Sequence, residues 1–511
     1  MGSSAGHNEP ARGHSRGHGA QARDEMSRSN NPWGGKLKMT EDTQKKRDPI
    51  WVYVAVALLL LAGFVWYSVD REPQARPPGT HEDLATLAER EDLNILFLLV
   101  DTLRANHMGS YGYERPTTPA LDELASNGIR FAHQISQSSW TKSSMAAIWT
   151  SLYLPRNGIH DHSHGIVSEA RMPAEVLAEH GFETAGIWRN GWVAPNFGFE
   201  QGFKTYIRPP VTGRDPEEQV ALRELPSSRV LEGNDDDLMF SAIEFIRTHR
   251  TQRWFLYLHF MDLHQYISDE GSALFGTTYL DMYDNAIRRE DRLIGELLEV
   301  LRSFGLSDRT VVVLASDHGE GFHEHGTEGH ARNLYGEVTH VPFIIGLPID
   351  LEEGIVVEER TANVDIWPTL FELLGLESVA GVDGVSQMDA IRRAALGAAP
   401  ESSSRRIFSQ LDRSWGQVGL EPNPLVAVTE GDLRFVHDVK QPEDNELYDL
   451  GNDPGEQKNL VSMDAEKAKR WQEITRSHRE DSELMWDVEV PVIELDDMEL
   501  NHLRALGYDI R

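Results

Sequence analysis

Three apolar runs, far apart in the chain, each end on side chains that bind hard cations or move protons. Residues 94–100 (NILFLLV) end at Asp101, residues 254–259 (WFLYLH) lead to Asp262 and His264, and residues 310–316 (TVVVLAS) end at Asp317 and His318. Short unbroken apolar runs of this kind suit strands buried on both faces, as in parallel sheets covered by helices. In open α/β sheets the ligand crevice lies outside the carboxyl ends of the strands, so the three endings are predicted to converge. One Asp after a strand is usually a turn former or a helix cap. Three such endings, two of them with an Asp and a His close together, point instead to a divalent metal held by carboxylates and an imidazole.

Between these runs the pattern alternates between strand and helix, which predicts a large, mostly parallel sheet sandwiched by helices. Helices are expected over 117–127, where Thr118 precedes Pro119 and Gly128 stops the run, and over 173–180, 283–304 and 365–374. Further strands are expected over 184–189 and 341–346. After about residue 402 the runs shorten, at 406–411, 425–429 and 433–437, and predict a smaller C-terminal α+β subdomain spanning 402–511. Residues 208–235, rich in Pro, Arg, Glu and Asp, read as a surface excursion that lines a substrate entrance.

The N-terminal part reads differently. Residues 1–49 are rich in Gly, Ser, Asn, Arg and His without an apolar period, and predict a disordered cytoplasmic tail. Residues 50–69 carry no charge and at ~1.5 Å per residue span about 30 Å, the thickness of a bilayer core. Trp51, Tyr53, Trp66 and Tyr67 stand near the two ends of this run, and Lys45, Lys46 and Arg47 precede it, which predicts a single-pass signal anchor with a cytoplasmic N-terminus. A Pro-rich linker is expected over 70–91 and a catalytic α/β domain over 92–401, exported to the periplasm or the outside of the cell. A net charge of −33 argues against nucleic acid as a partner. The absence of cysteine removes disulfides and cysteine nucleophiles, and fits an oxidising compartment.

The segments around the strand ends resemble, together, the sulfatase branch of the alkaline phosphatase superfamily over roughly residues 94–470. Residues 100–113 (VDTLRANHMGSYGY) are similar to its first metal-ligand segment and residues 316–326 (SDHGEGFHEHG) to its second. Residues 446–450 (ELYDL), with Asp453, Pro454, Glu456, Asn459 and Leu460, resemble its C-terminal signature. The resemblance implies an alkaline-phosphatase-like fold, with Asp101, Asp317 and His318 as metal ligands and Thr141 at the nucleophile position. It implies that His264 serves the leaving group, that His330 contacts the substrate, and that Asn190 forms part of the pocket wall. Lys142 is expected to join His330 on the substrate's equatorial oxygens.

The departures from the family pattern bear on the chemistry. A sulfatase carries Cys or Ser followed by x-Pro-Ser-Arg and converts it to formylglycine; here Thr141 is followed by Lys142, Ser143, Ser144 and Met145, so formylglycine is not expected. Position 102 is Thr where many members have a second Asp. Superfamily members that resemble this pattern use threonine directly on phosphorus, and a divalent ion acidifies a hydroxyl that coordinates it, so Thr141 is also a candidate ligand. Calcium, magnesium, manganese and zinc all suit such donors.

The expected activity is therefore that of an anchored, metal-dependent hydrolase or transferase of phosphoesters, diesters or lipid- or glycan-linked head groups. The alternatives are a sulfuric ester hydrolase and a catalytically silent protein that binds anions or glycans. His160, His162 and His164 read as a solvated loop, and His323 and His325 as loop-shaping residues, with His325 within possible reach of the site.

Overall fold

The computed structural model describes residues 53–59, 76–211, 233–401, 404–417, 419–495, 499–500 and 503–504. The chain divides into Met1–Asp70 and a second compact unit, Arg71–Arg511. In the first, residues 53–59 are helical, and the remainder of the expected anchor and the whole tail lie outside the described residues. Among the described residues no helix is long and apolar enough to cross a membrane.

The second unit is built on a sheet that has nine strands among the described residues. In chain order these are β1 (Asn94–Val100), β2 (Ile129–Ile135), β3 (Glu183–Ile187), β4 (Thr205–Ile207), β5 (Trp254–Phe260), β6 (Thr310–Ala315), β7 (His340–Val341), β8 (Phe343–Gly346) and β9 (Ile355–Ala362). Across the sheet the order runs β9, β2, β8, β6, β1, β5, β3, β4, with β7 continuing the line of β8 along β2. The neighbours β6–β1–β5–β3–β4 are all parallel, and β7 and β8 are antiparallel to every strand they pair with. Pro342 separates β7 from β8, as expected of a residue that has no N–H to give to a ladder.

Both faces of the sheet are covered, and the period of two shows it. Ile95, Phe97 and Leu99 of β1 enter one apolar cluster, Leu96, Leu98 and Val100 the other, and β6 divides in the same way. The first cluster holds α2 (Thr141–Thr150) and α3 (Pro173–Glu179); the second holds α1 (Pro119–Ser126), α4 (Asp235–His249) and α5 (Tyr279–Ser303). All ten residues of α2 are buried. Its Trp149 lies 5.4 Å from Trp367, which stacks in turn at 5.4 Å on Phe97 of the central strand. The helix that carries Thr141 begins at Thr141 itself.

The strand endings fall where the sequence puts them, and two boundaries move. Helix α5 starts at Tyr279 rather than at 283, because Thr278 accepts from the Asp281 N–H and Asp281 reaches back to the Thr278 N–H in a capping box. From Arg76 onward the expected linker is folded: Pro78–Gly79 pairs with Asp350–Leu351, and Leu84 and Leu87 enter the core. The C-terminal region forms a four-stranded antiparallel sheet, β10 (Arg406–Asp412), β11 (Pro424–Glu430), β12 (Leu433–Asp438) and β13 (Glu446–Asp449). Trp471 of the helix Ala465–Glu480 joins Val428, Phe435 and Leu447 of this sheet in a small core of its own.

Candidate active site

Asp101 follows β1 directly and Asp317 and His318 lie two and three residues past the end of β6, and the parallel pairing of these two strands brings the three side chains together. One ligand atom from each lies within 4.8 Å of the others, and all three residues are fully buried. Oδ1 of Asp101 and Oδ2 of Asp317 are buried without a hydrogen-bond partner. Leaving a buried carboxylate oxygen unsatisfied costs about 1–3 kcal/mol or more, so a pair aimed at one point fits a cation. His318 completes the set: Nδ1–H donates to the Gly319 carbonyl at 3.0 Å, which leaves the lone pair of Nε2 facing Asp317 Oδ2 at 3.4 Å and Asp101 Oδ1 at 3.9 Å. The donor set fits a divalent ion.

Other groups hold these ligands in place. Oδ2 of Asp101 accepts from Asn190 Nδ2 at 2.8 Å and from His259 Nε2 at 3.1 Å, and Tyr257 Oη lies 2.8 Å from the other nitrogen of His259. Oδ1 of Asp317 accepts from the His318 N–H at 3.0 Å. Thr102 adopts a φ of 63°, a left-handed conformation that is costly for a β-branched residue, and the Tyr283 hydroxyl holds it by donating to its carbonyl at 2.7 Å. Gly319 follows His318 where a Cβ would run into the Glu337 carbonyl and Arg104, so the loop there admits only glycine.

The two carboxylates titrate in opposite senses. Burial would raise Asp101, but the hydrogen bond from His259 and the charges of His264, His318 and His259 outweigh it and hold its carboxyl below the usual range. Burial, and then the charge of Asp101, push Asp317 up. Two anions this close share one proton unless a cation neutralises them.

Thr141 stands at the first position of α2, where free backbone N–H groups and the positive end of the helix dipole suit an anionic ligand. Its Oγ1 lies 3.1 Å from His318 Nε2 and accepts from Asn190 Nδ2 at 3.4 Å. Ser144, one turn on, donates to the carbonyl of Asp317 at 2.6 Å, which ties the helix to the metal-ligand segment. His330 lies beside His318, ring centroids 4.5 Å apart, and His264 lies 4.9 Å from His330. His264 reaches this place from a short turn, Leu263–Gln265, that follows β5. Burial pushes His330 down to about 4 and Glu320 up to about 7, and the two face each other at 3.2 Å.

Of the side chains expected here, the structure brings together Asp101, Thr141, Asn190, His264, Asp317, His318 and His330. Lys142 is the exception. Its Nζ turns away along α2, donates to the His162 carbonyl at 2.6 Å and lies 3.4 Å from the centroid of the Phe197 ring. Successive residues on a helix face directions about 100° apart, so the neighbour of Thr141 cannot share its outlook. Burial lowers the Lys142 ammonium well below its ordinary value. His325 is also elsewhere, 2.9 Å from Glu337 and pushed up to about 9, where the Glu337 carboxylate outweighs burial. His160, His162 and His164 form no metal-binding group with neighbouring His, Asp or Glu among the described residues.

The model of the family described as "Sulfatase" matches residues 93–376, more than half of the chain. This chain belongs to the sulfatase family. A second model, "N-sulphoglucosamine sulphohydrolase, C-terminal", matches residues 324–481. Among curated sulfatases, the ulvan-active sulfatase of Formosa agariphila is 24% identical over 72% of this chain and 77% of its own length. The N-acetylgalactosamine-6-O-sulfatase of Bacteroides thetaiotaomicron is 23% identical over 75% of this chain and 92% of its own. The phosphonate monoester hydrolase of Agrobacterium radiobacter has the same fold, with a TM-score of 0.56 and 19% identity over 76% of this chain and 96% of that one. The α/β architecture with its small C-terminal domain is thus that of sulfatases, and the chain is a sulfatase-family hydrolase.

Three residues of this sulfatase-family site escape a reading of the sequence. His259 lies inside the apolar run of β5, where its only signal is a polar residue near the end of an otherwise apolar central strand. Glu320 lies two residues past His318 in a loop dense with acids and histidines. Arg189 precedes Asn190, and its partners, Asp235 and Asp262, are 46 and 73 residues away.

Proposed function

We propose that this protein is a metal-dependent hydrolase of anionic esters that uses Thr141 as its nucleophile, with phosphoesters as the substrate class. The observation that carries this is the Thr141 hydroxyl at the head of α2 and 3.1 Å from the nitrogen of a ligand histidine. Asp101, Asp317 and His318 would hold the ion, with Thr141 Oγ1 as a further donor. When bound, a divalent ion neutralises charge on the ester oxygens and makes a nearby hydroxyl more acidic.

The protein's own groups account for the rest. Asn190 donates to Thr141 Oγ1 and to Asp101, which fixes the direction of the nucleophile. Thr141 Oγ1, its proton already released to solvent, attacks phosphorus as the alkoxide; the new O–P bond forms as the bond to the ester oxygen breaks, and His264 gives its proton to the departing alcohol. Water then attacks the phosphothreonine, the Thr141 O–P bond breaks, and His264 takes a proton from the water. His330, oriented by Glu320, lies between His264 and His318 and contacts the equatorial oxygens. Lys142 has no part in this scheme.

A second reading has its own support. The curated relatives named above act on sulfated polysaccharide or amino sugar, and the weight of the comparisons favours a sulfuric ester on a glycan. Against it stands Thr141: formylglycine chemistry needs Cys or Ser, and an alkyl sulfate on threonine would be a slow intermediate to hydrolyse. The phosphonate monoester hydrolases show that the fold also serves phosphorus. A panel of nitrophenyl phosphate monoester, phosphate diester, phosphonate and sulfate separates the readings. Turnover of phosphorus esters with sulfate at least about a hundredfold slower supports the first; preferred turnover of sulfate overturns it.

We also propose that the catalytic unit is anchored through residues 50–69 and exported. The uncharged apolar run supports this, as do the exposed Tyr53, Leu58 and Leu59 of its described helical part.

A further inference from the structure

A second buried group of acids lies outside the scheme above: Asp235, Asp262 and Glu290, whose ligand atoms also fall within 4.8 Å of one another. Two guanidinium groups already occupy it. Arg189 Nη1 donates to Asp235 Oδ1 at 2.7 Å and to Asp262 Oδ1, and Arg289 Nη1 donates to Asp262 Oδ2 at 2.6 Å. Asp235 takes its remaining bonds from the backbone N–H groups of Met261 and Asp262, at 2.9 and 2.7 Å. Arg189, Asp235, Asp262, Arg289 and Glu290 are each at most 5% exposed.

The position of this group in the fold gives it a use. It joins four elements: the end of β3, the first turn of α4, the end of β5 and the middle of α5. Each of the two strand ends carries a functional side chain immediately beyond it. Asn190 follows Arg189 and reaches Asp101 and Thr141. His264 follows Asp262 by two residues, in a turn whose Gln265 and Ile267 N–H groups both bond to the Asp262 carbonyl, at 3.2 and 3.0 Å. A displacement of about 1 Å at such a site is enough to cost a large part of the rate.

We propose that the Arg189–Asp262 ion pair is a positioning device that sets Asn190 and His264 in register with each other across the site. Arg189 binds the carboxylate of the residue that starts the His264 turn, so the nucleophile's hydrogen-bond donor and the leaving group's proton donor move as one body. Asp235 and Arg289 hold that pair to the two helices behind the sheet. None of these four residues touches substrate. The inference rests on the roles given to Asn190 and His264 in the proposed function.

The test uses Asp262→Asn and Arg189→Lys in the full chain, beside His264→Ala, on phenyl phosphate and p-nitrophenyl phosphate. A poor leaving group depends on the proton donor more than a good one does. Expected for Asp262→Asn are a metal content equal to wild type, an unchanged KM, and a kcat about tenfold lower on phenyl phosphate with a much smaller loss on the nitrophenyl ester. Arg189→Lys, which keeps the charge, lies between this variant and wild type. A kcat within twofold of wild type on both esters overturns the proposal, as does an equal loss on both. Should Asp262→Asn not fold, Arg189→Lys carries the same comparison of esters. Failure of the underlying reading is distinguishable, because then Thr141→Ala keeps its activity or His264→Ala shows no dependence on the leaving group.

Discussion

Two groups of three buried acidic or imidazole side chains gather beside the carboxyl ends of neighbouring parallel strands, one wholly from the strand ends and one partly from the helices behind them, and they solve the same electrostatic problem in opposite ways. Asp235, Asp262 and Glu290 contain their own cations, Arg189 and Arg289, with hydrogen bonds of 2.6–2.7 Å at the acids. Asp101, Asp317 and His318 contain none, and both carboxylates keep a buried oxygen without a partner, where in the other group only Oε2 of Glu290 does. Burying charge is tolerable only when something neutralises it. Where the chain supplies the counter-charge the group is a joint; where it withholds it the group is a receptor. Acidic composition and burial alone do not distinguish the two.

The largest effect that sharpens this contrast is expected at Thr141, the hydroxyl next to the open group. Thr141→Ala should reduce kcat at least about a thousandfold while elemental analysis shows unchanged metal; unchanged turnover would remove Thr141 as nucleophile. Next in size, Asp317→Asn should weaken metal binding about a hundredfold or more, whereas the same change at Asp262 should leave metal content as it was. Metal retained by Asp317→Asn and lost from Asp262→Asn would break the contrast outright, since it would place the ion in the wrong group.

A smaller effect is expected from pH. Asp317 is raised in the metal-free protein, so between the ordinary carboxylate range and neutrality the folded state binds more protons than the unfolded one. The part of the metal-free protein's stability that depends on Asp317 should therefore fall as pH rises through that window, and a divalent ion should restore it most at the upper end. Thermal melts of wild type and Asp317→Asn at pH 5 and pH 7.5, with chelator and with added metal, separate this from the opposite slope of His264, His318 and His330, which burial lowers; a metal-free Tm difference between the two proteins that does not change with pH would count against an open pair of carboxylates. The smallest effect belongs to Glu290. Burial, then the charges of Asp235 and Asp262, push its carboxyl well up, which favours the uncharged form that Glu290→Gln imitates in shape. Stability and kcat should stay within about 0.5 kcal/mol and twofold of wild type.

The strand-end residues Asp101, Asp317 and His318 were legible because a buried parallel strand is an unbroken apolar run, and the first polar residue after it marks the crevice. Thr141 was legible through its resemblance to a family segment, although the helix it heads was not, since Lys142, Ser143 and Ser144 are polar yet buried. Lys142 was misplaced for a related reason: adjacency in sequence says nothing about which side of a helix faces the crevice.

By itself the sequence determined the apolar runs, hence a parallel sheet covered on both faces, and the residue types at its carboxyl edge. It also determined that position 141 offers a hydroxyl and no sulfur. Which acids would be neutralised by arginine and which left open was decided only by the tertiary structure. Arg189 meets Asp262 across 73 residues and Arg289 meets it across 27, through strands and helices packed in order, and no local pattern encodes such a distance. Charge becomes function here through what folding places beside it.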